Sequence, residues 1–238
     1  MIKLLSLDLD KTITESNSWE ILNTHFGISE EDDKKMYYDF MSQKISYKEW
    51  LDKLADIWKE NKEHITKQSI MDAYNPIYKK DIINTIKQIR LENPGIIIGI
   101  TTGAPSVAAE KSMHDLNLDF VFSTNHVDFN ENAEFTGFID LGDETLSGKP
   151  NLLSIFAKEK GVFFHECMHV GDSRNDIQLF RSTGNGVSFK WCKEDIKNEA
   201  KVIIEEIQDL PEAIKQINEI NYKNYQLIYP YIKTNTSI

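Results

Sequence analysis

The chain predicts an α/β fold, and three apolar runs carry that prediction. Leu4 to Leu9, Ile96 to Ile100 and Cys167 to Val170 are rich enough in apolar residues to be strands buried on both faces, as in a parallel sheet. Each run ends in polar side chains: Asp8 and Asp10 at the first, Thr101, Thr102 and Gly103 at the second, Gly171 and Asp172 at the third. Open α/β sheets build their ligand sites at the carboxyl ends of their strands. The expected architecture is a parallel-sheet core with helices on both faces, an inserted helical bundle and a small β-hairpin excursion.

The elements follow in order. Asp8 and Thr102 belong on neighbouring strands, yet far more chain separates them than the dozen or so residues a crossover needs. Residues 15 to 80 are therefore an insertion, and their periodicity is helical. Trp19, Leu22 and Phe26 share one helix face, and Met36, Phe40 and Met41 suggest a second helix. Tyr47, Trp50, Leu51, Leu54, Ile57 and Trp58 form an i, i+3, i+4, i+7 stripe. Ile65, Ile70, Met71 and Tyr74 suggest a fourth helix. Striped helices need partners, and a small bundle supplies them. Asp81 to Leu91 reads as the first core helix, ending at Asn93-Pro94-Gly95, and Pro105 to Leu116 as the next. Phe120 to Phe122 is a strand. Val127 to Asp140 alternates about a polar turn, which is a hairpin signal. Lys149 to Lys160 and Ile177 to Arg181 are helical, Gly186 to Phe189 and Val202 to Ile204 are strands, and Leu210 to Ile220 is a closing helix. From Asn221 the chain is polar and tyrosine-rich without a clear period. The expected division is a core of residues 1–14 and 81–220, an insertion of residues 15–80, and a tail, 221–238, of no assigned role.

With 238 residues the chain has room for one large domain or a domain plus an insertion. A net charge of −11 argues against nonspecific nucleic-acid or anionic-membrane partners. Two cysteines, Cys167 and Cys192, fit a reducing compartment without a disulfide. Asp8 interrupts the apolar run after Lys3, so no secretory leader is expected. No stretch approaches the roughly 18 apolar residues of a membrane span. A cytoplasmic location is expected.

The polar tips carry the chemistry. Asp8 and Asp10 stand i, i+2 apart, where two carboxylates repel unless a divalent cation joins them or one stays protonated. Thr102 with Gly103 offers a hydroxyl and a backbone N–H to an anion; alternation along the strand points Thr101 elsewhere. Lys149, in Ser147-Gly148-Lys149-Pro150, opens a helix, and Gly171-Asp172-Ser173-Arg174-Asn175-Asp176 ends a strand and opens another. In this order the four segments resemble the motifs of the haloacid dehalogenase-like (HAD) superfamily, from residue 1 to about 205. The Gly-Asp-x-x-Asn-Asp form resembles its phosphoserine phosphatase-like branch.

That resemblance implies a Rossmann-like core whose helical insertion is a cap over the site, hinged around Thr14 and residues 75–85. It implies a hydrolase that removes phosphate from a small phosphorylated metabolite. Asp8 would be the nucleophile and Asp10 the general acid and base. Thr102, Gly103 and Lys149 would bind the phosphoryl oxygens. Mg²⁺ would sit on Asp8, Asp172 and the backbone carbonyl of Asp10, with Asp176 and Asn175 behind them. A phosphomutase shares the fold and the Asp8/Asp10 pair, and a catalytically silent binding protein would lack Asp8 or Lys149. Two departures stand out. Position 11, often glycine in the superfamily, is Lys11, which keeps the backbone role there if the turn avoids positive φ. The acid that phosphoserine phosphatases place nine residues after the nucleophile falls on Asn17, with Glu15 and Glu20 nearest. Their cap arginine has no counterpart, because the only arginines are Arg90, Arg174 and Arg181. Lysine is no equivalent fork for a carboxylate.

Overall fold

The computed structural model describes residues 1–141 and 148–235, with side chains to residue 226. Ser147 and residues 236–238 of the tail lie outside the described residues. β1 (Leu4–Leu7) is the middle strand of a seven-stranded sheet. On one side lie β2 (Ile97–Pro105), β3 (Phe120–Phe129) and β4 (Phe135–Asp140); on the other lie β5 (Cys167–Val170), β6 (Gly186–Phe189) and β7 (Val202–Ile204). All pair in parallel except β3 with β4, which form the hairpin. Register sets the site: Leu7 stands opposite both Ile100 and Val170, so the polar residues beyond all three strands emerge at one edge. The strand order reverses at β1, and a crevice opens at such a switch point.

Helices cover both faces. Leu4 belongs to one apolar cluster with Leu153 and Ala157 of α7 (Gly148–Glu159) and Leu179 of α8 (Ile177–Thr183). Leu5 and Leu7 belong to the other, with Ile86 and Ile89 of α5 (Ile82–Glu92) and Ile214 and Ile217 of α10 (Leu210–Asn235). α6 (Ser106–Asp115) and the short α9 (Glu194–Lys197) complete the core. Among the described residues no helix is long and apolar enough to cross a membrane. Cys167 and Cys192 are free and buried.

The cap comprises α1 (Ser18–His25), α2 (Glu30–Met41), α3 (Tyr47–Asn61) and α4 (Lys67–Ala73). Asn17 caps α1 by accepting from the N–H groups of Trp19 and Glu20, and Ser46 with Glu49 forms a capping box on α3. Trp58 stacks on Phe26 and meets Phe135 and Phe138 of the hairpin, so cap and core share one apolar interior. The cap joins the core twice. Thr14 and Tyr78 form an antiparallel bridge where the two connecting segments run side by side. At the far end, the Phe135 N–H donates to Ile65 O at 2.7 Å and Thr66 bridges Glu134.

Three expectations change. Met41 is 56% exposed, because α2 lies on the outside and it is Met36 and Phe40 that pack against the core. The strand at Phe120 does not stop at Phe122: β3 runs unbroken into the hairpin through the polar residues Ser123, Thr124 and Asn125. The closing helix does not stop at Ile220 either. α10 continues to Asn235, so most of the tail is helix.

Candidate active site

Asp8 follows β1 directly and is 5% exposed; its N–H donates to Val170 O at 2.9 Å, which pins it to β5. Lys149, buried in the first turn of α7, donates to Asp8 Oδ1 at 2.9 Å and to Asp176 Oδ1 at 2.8 Å. Asp176 is fully buried and receives five donors: Lys149 Nζ, His169 Nε2 at 3.0 Å, the N–H groups of Asp172 and Ser173, and the Ser173 hydroxyl. Only glycine fits beneath it, because a Cβ on Gly171 would lie 2.2 Å from Asp176 Cγ. Asp172 accepts from the Thr12 hydroxyl at 3.0 Å. Asp10 turns away from Asp8 and accepts from Ser18 twice, from N–H at 2.8 Å and from the hydroxyl at 2.6 Å.

These contacts set the electrostatics. Burial pushes the Asp10 carboxyl up to about 7; the Ser18 bonds oppose the rise and the Asp8 charge adds to it. Burial, then repulsion from Asp8 and Asp176, pushes Asp172 up to about 8. Burial raises Asp8 too, against the pull of Lys149. Burial alone would raise Asp176, but the Lys149 charge and the His169 bond hold it below the usual carboxylate range. Burial alone would lower Lys149, and Asp176 and Asp8 instead hold it above the usual lysine range.

On β2, Thr102 is buried and its Oγ1 accepts from the Ala104 N–H at 3.1 Å. That leaves its hydroxyl proton for another acceptor. Thr101 points the other way, as alternation requires. Its hydroxyl pairs with that of Ser6 at 2.9 Å, and Ser6 lies 3.0 Å from His169 Nδ1. Gly103 presents its carbonyl to Trp19 Nε1 at 3.2 Å and to Asn125 Nδ2 at 2.7 Å. The structure thus brings Asp8, Lys149, Asp172 and Asp176 together at the sheet edge. Asn175 is half-buried and makes no side-chain hydrogen bond among the described residues.

Lys11 departs from expectation. Its φ is +61°, the left-handed region that favours glycine, because the chain must reverse tightly after Asp10. The lysine Nζ donates to Glu15 O at 2.9 Å across that turn. Asn17, at the position where an acid is expected, is a helix cap; of the nearby acids, Glu15 pairs with Lys79 and Glu20 is exposed. Sequence reasoning missed Ser18, His169, Trp19 and Asn125. A buried histidine inside an apolar strand and three polar residues inside β3 were the signals available.

Asp8, Asp172 and Asp176 offer carboxylate oxygens within 4.8 Å of one another. Three crowded acids face one lysine, so the donor set fits a divalent cation of oxygen preference. Asp176 already receives donors at both oxygens, while Oδ2 of Asp8 and of Asp172 have no hydrogen bond among the described residues. Asp8 and Asp172 would hold the ion directly.

Fold and site together define a capped α/β hydrolase with carboxylates at its strand tips. The sequence profile of the haloacid dehalogenase-like hydrolases matches residues 2–184, and the chain belongs to that family. It is 27% identical over 218 residues to a phosphoserine phosphatase of Methanocaldococcus jannaschii, spanning 90% of this chain and 97% of that one. It is 26% identical to a phosphoserine phosphatase of Campylobacter jejuni subsp. doylei, spanning 91% and 100%. A substrate-bound phosphoserine phosphatase complex shares the fold with a TM-score of 0.69 at 24% identity, covering 91% of this chain and 98% of that one.

Proposed function

We propose that the protein is a Mg²⁺-dependent phosphomonoester hydrolase that works through an aspartyl-phosphate on Asp8. The observation that carries this reading is the buried lysine bridge. Lys149 holds Asp8 in place and faces it with positive charge, while Asp10 is anchored separately on Ser18. A carboxylate oxygen of Asp8 attacks phosphorus, and the ester oxygen leaves with a proton from Asp10. Asp10 then takes a proton from the water that attacks the aspartyl-phosphate, and Asp8 is restored. Thr102, Gly103 and Lys149 hold the phosphoryl oxygens as charge shifts onto them. Asp8, Asp172 and the backbone carbonyl of Asp10 would hold Mg²⁺, which would supply charge neutralisation for the incoming phosphate. Asp176, with Asn175 beside it, orients that shell from behind.

The phosphoserine phosphatases among its relatives support a phosphorylated metabolite as substrate, with phosphoserine the first to try. The cap supports a different preference from theirs. It holds no arginine, Asn17 is committed to α1, and Trp19, Trp50, Tyr47 and Phe138 line the interior next to Gly103. A larger or less charged ester suits that lining better. The test is phosphate release from a panel of phosphorylated metabolites, phosphoserine included, with Mg²⁺. We expect turnover that Asp8→Asn removes, and a better substrate than phosphoserine. No release above the Asp8→Asn background from any ester overturns the reading. A clear kcat/KM advantage for phosphoserine overturns the preference.

A further inference from the structure

The turn that carries Thr102 is bonded to the cap. Between Thr102 and Pro105 the register of β2 against β3 shifts, and side chains serve the Gly103 carbonyl there. Asn125 Nδ2 donates to it at 2.7 Å and Trp19 Nε1 at 3.2 Å. Two lone pairs, two donors: the oxygen is filled. Asn125 is fully buried on β3, and its own Oδ1 accepts from the Tyr47 hydroxyl at 2.9 Å. Trp19 opens α1 and Tyr47 opens α3, so two cap helices reach one carbonyl, the first directly and the second through Asn125.

That carbonyl shares a peptide plane with the Ala104 N–H, and the peptide is rigid. The same N–H donates to Thr102 Oγ1 at 3.1 Å. Tilting the Gly103–Ala104 plane therefore releases the Thr102 hydroxyl from its fixed rotamer. Ser123 braces the other side, accepting from the Asn125 N–H and donating to Ala104 O. Resting on the phosphatase reading above, we infer that Asn125 and Tyr47 are positioning residues for phosphate binding. They hold the Gly103–Ala104 peptide in the orientation that aims Thr102, and they do so only when the cap is seated. A cap that lifts withdraws Tyr47 and Trp19 together, loosens the turn, and lowers its hold on product phosphate at the moment of release.

The probe is inorganic phosphate, titrated calorimetrically into the full chain with Mg²⁺, beside thermal melts. Tyr47→Phe keeps the ring and removes the hydrogen bond to Asn125; it should weaken phosphate by at least about threefold, the order of one neutral hydrogen bond. Asn125→Asp keeps an acceptor for Tyr47 but sets a carboxylate against the Gly103 carbonyl, so its loss should exceed that of Tyr47→Phe. The Tyr47→Phe loss should shrink in an Asn125→Ala background, because the two residues form one chain. A purely structural Tyr47 would lower the melting temperature and leave phosphate affinity alone. Wild-type affinity in Tyr47→Phe, or an equal loss in both backgrounds, overturns the inference. If the Asn125 variants do not fold, Tyr47→Phe alone decides it. A wild-type chain that binds no phosphate, or binding that ignores these substitutions, removes the inference; the phosphatase reading stands or falls separately on ester turnover.

Discussion

The floor of the site and the interior of the cap are both closed to solvent, but they are closed in different ways. Beneath Asp8 the closure is polar and complete: Asp176 alone receives five donors, one from Lys149 on α7 and four from the stretch His169 to Ser173. Inside the cap it is aromatic and loose in its polar matching. Trp50 packs against Trp19, Phe40 and Tyr47, yet its buried Nε1 has no hydrogen-bond partner among the described residues. Directional bonds fix positions to a fraction of an ångström, whereas area burial tolerates exchange of one ring for another. The floor is fixed by directional bonds, and the cap interior by ring packing that tolerates substitution.

The sharpest way to break this contrast is at the floor itself. Asp8→Asn should keep the fold and cut kcat by at least about 10⁴-fold, as expected for a lost nucleophile; single-turnover assays check it. Gly171→Ala comes next. Its Cβ would lie 2.2 Å from Asp176 Cγ, so the Asp176–Lys149–Asp8 chain must shift. Misplacement of that size costs roughly 10²-fold in kcat, and activity near wild type would show the floor to be as yielding as the cap.

Metal binding should sharpen the comparison through pH. In the metal-free protein, burial and neighbouring acids push Asp172 up to about 8, whereas unfolding returns it to the ordinary carboxylate range. The folded state then binds the extra proton, so this group's contribution to stability falls as pH rises from about 4 to 8. Mg²⁺ removes that penalty. Saturating Mg²⁺ should raise the melting temperature by roughly 5–10 °C at a hundredfold excess over its Kd, more at pH 8 than at pH 5. Asp172→Asn should shrink the difference between the two pH values, leaving the part that Asp8 contributes.

The smallest effect lies within the cap. Trp58→Phe leaves the buried Asn23 Oδ1, now bonded to Trp58 Nε1 at 2.9 Å, without a donor. Trp50→Phe gives up the same ring volume, but its indole N–H has no hydrogen-bond partner among the described residues. Chemical denaturation should show the Trp58 change to be costlier by about 1–3 kcal/mol, the penalty of a buried orphan acceptor. Equal losses would mean that the Trp58–Asn23 bond adds nothing to the packing of the two rings.

How much of this was legible in the sequence follows the same division. Asp8, Thr102, Lys149, Asp172 and Asp176 could be read because each lies at the end of an apolar run or the start of a helix, which are local signals. The Trp58 stripe could be read for the same reason. Ser6, Thr101 and His169 meet across three strands, and only inter-strand register brings them together. Asn125 was hidden by a strand read as ending at Phe122, since polar residues inside β3 mimic a loop until their partners in β2 and α3 are known. Met41 was misread because a helix stripe does not say which of its members reach the neighbouring helix. The length of α10 was invisible because nothing periodic marks residues beyond Asn221.

The two seams between cap and core have a mechanical consequence. One is the bridge of Thr14 with Tyr78, the other the bridge of Thr66 with Glu134. A rigid body held at two separated points retains a single rotation, about the line that joins them. Any movement of the cap would therefore turn about that line, or carry the β3–β4 hairpin along and pivot at Thr14 and Tyr78 alone. The first leaves the Ile65–Phe135 backbone bond intact and the second leaves Trp58 seated on Phe135 and Phe138. In either case the hairpin, a side excursion by its sequence, would bear the load of any such movement.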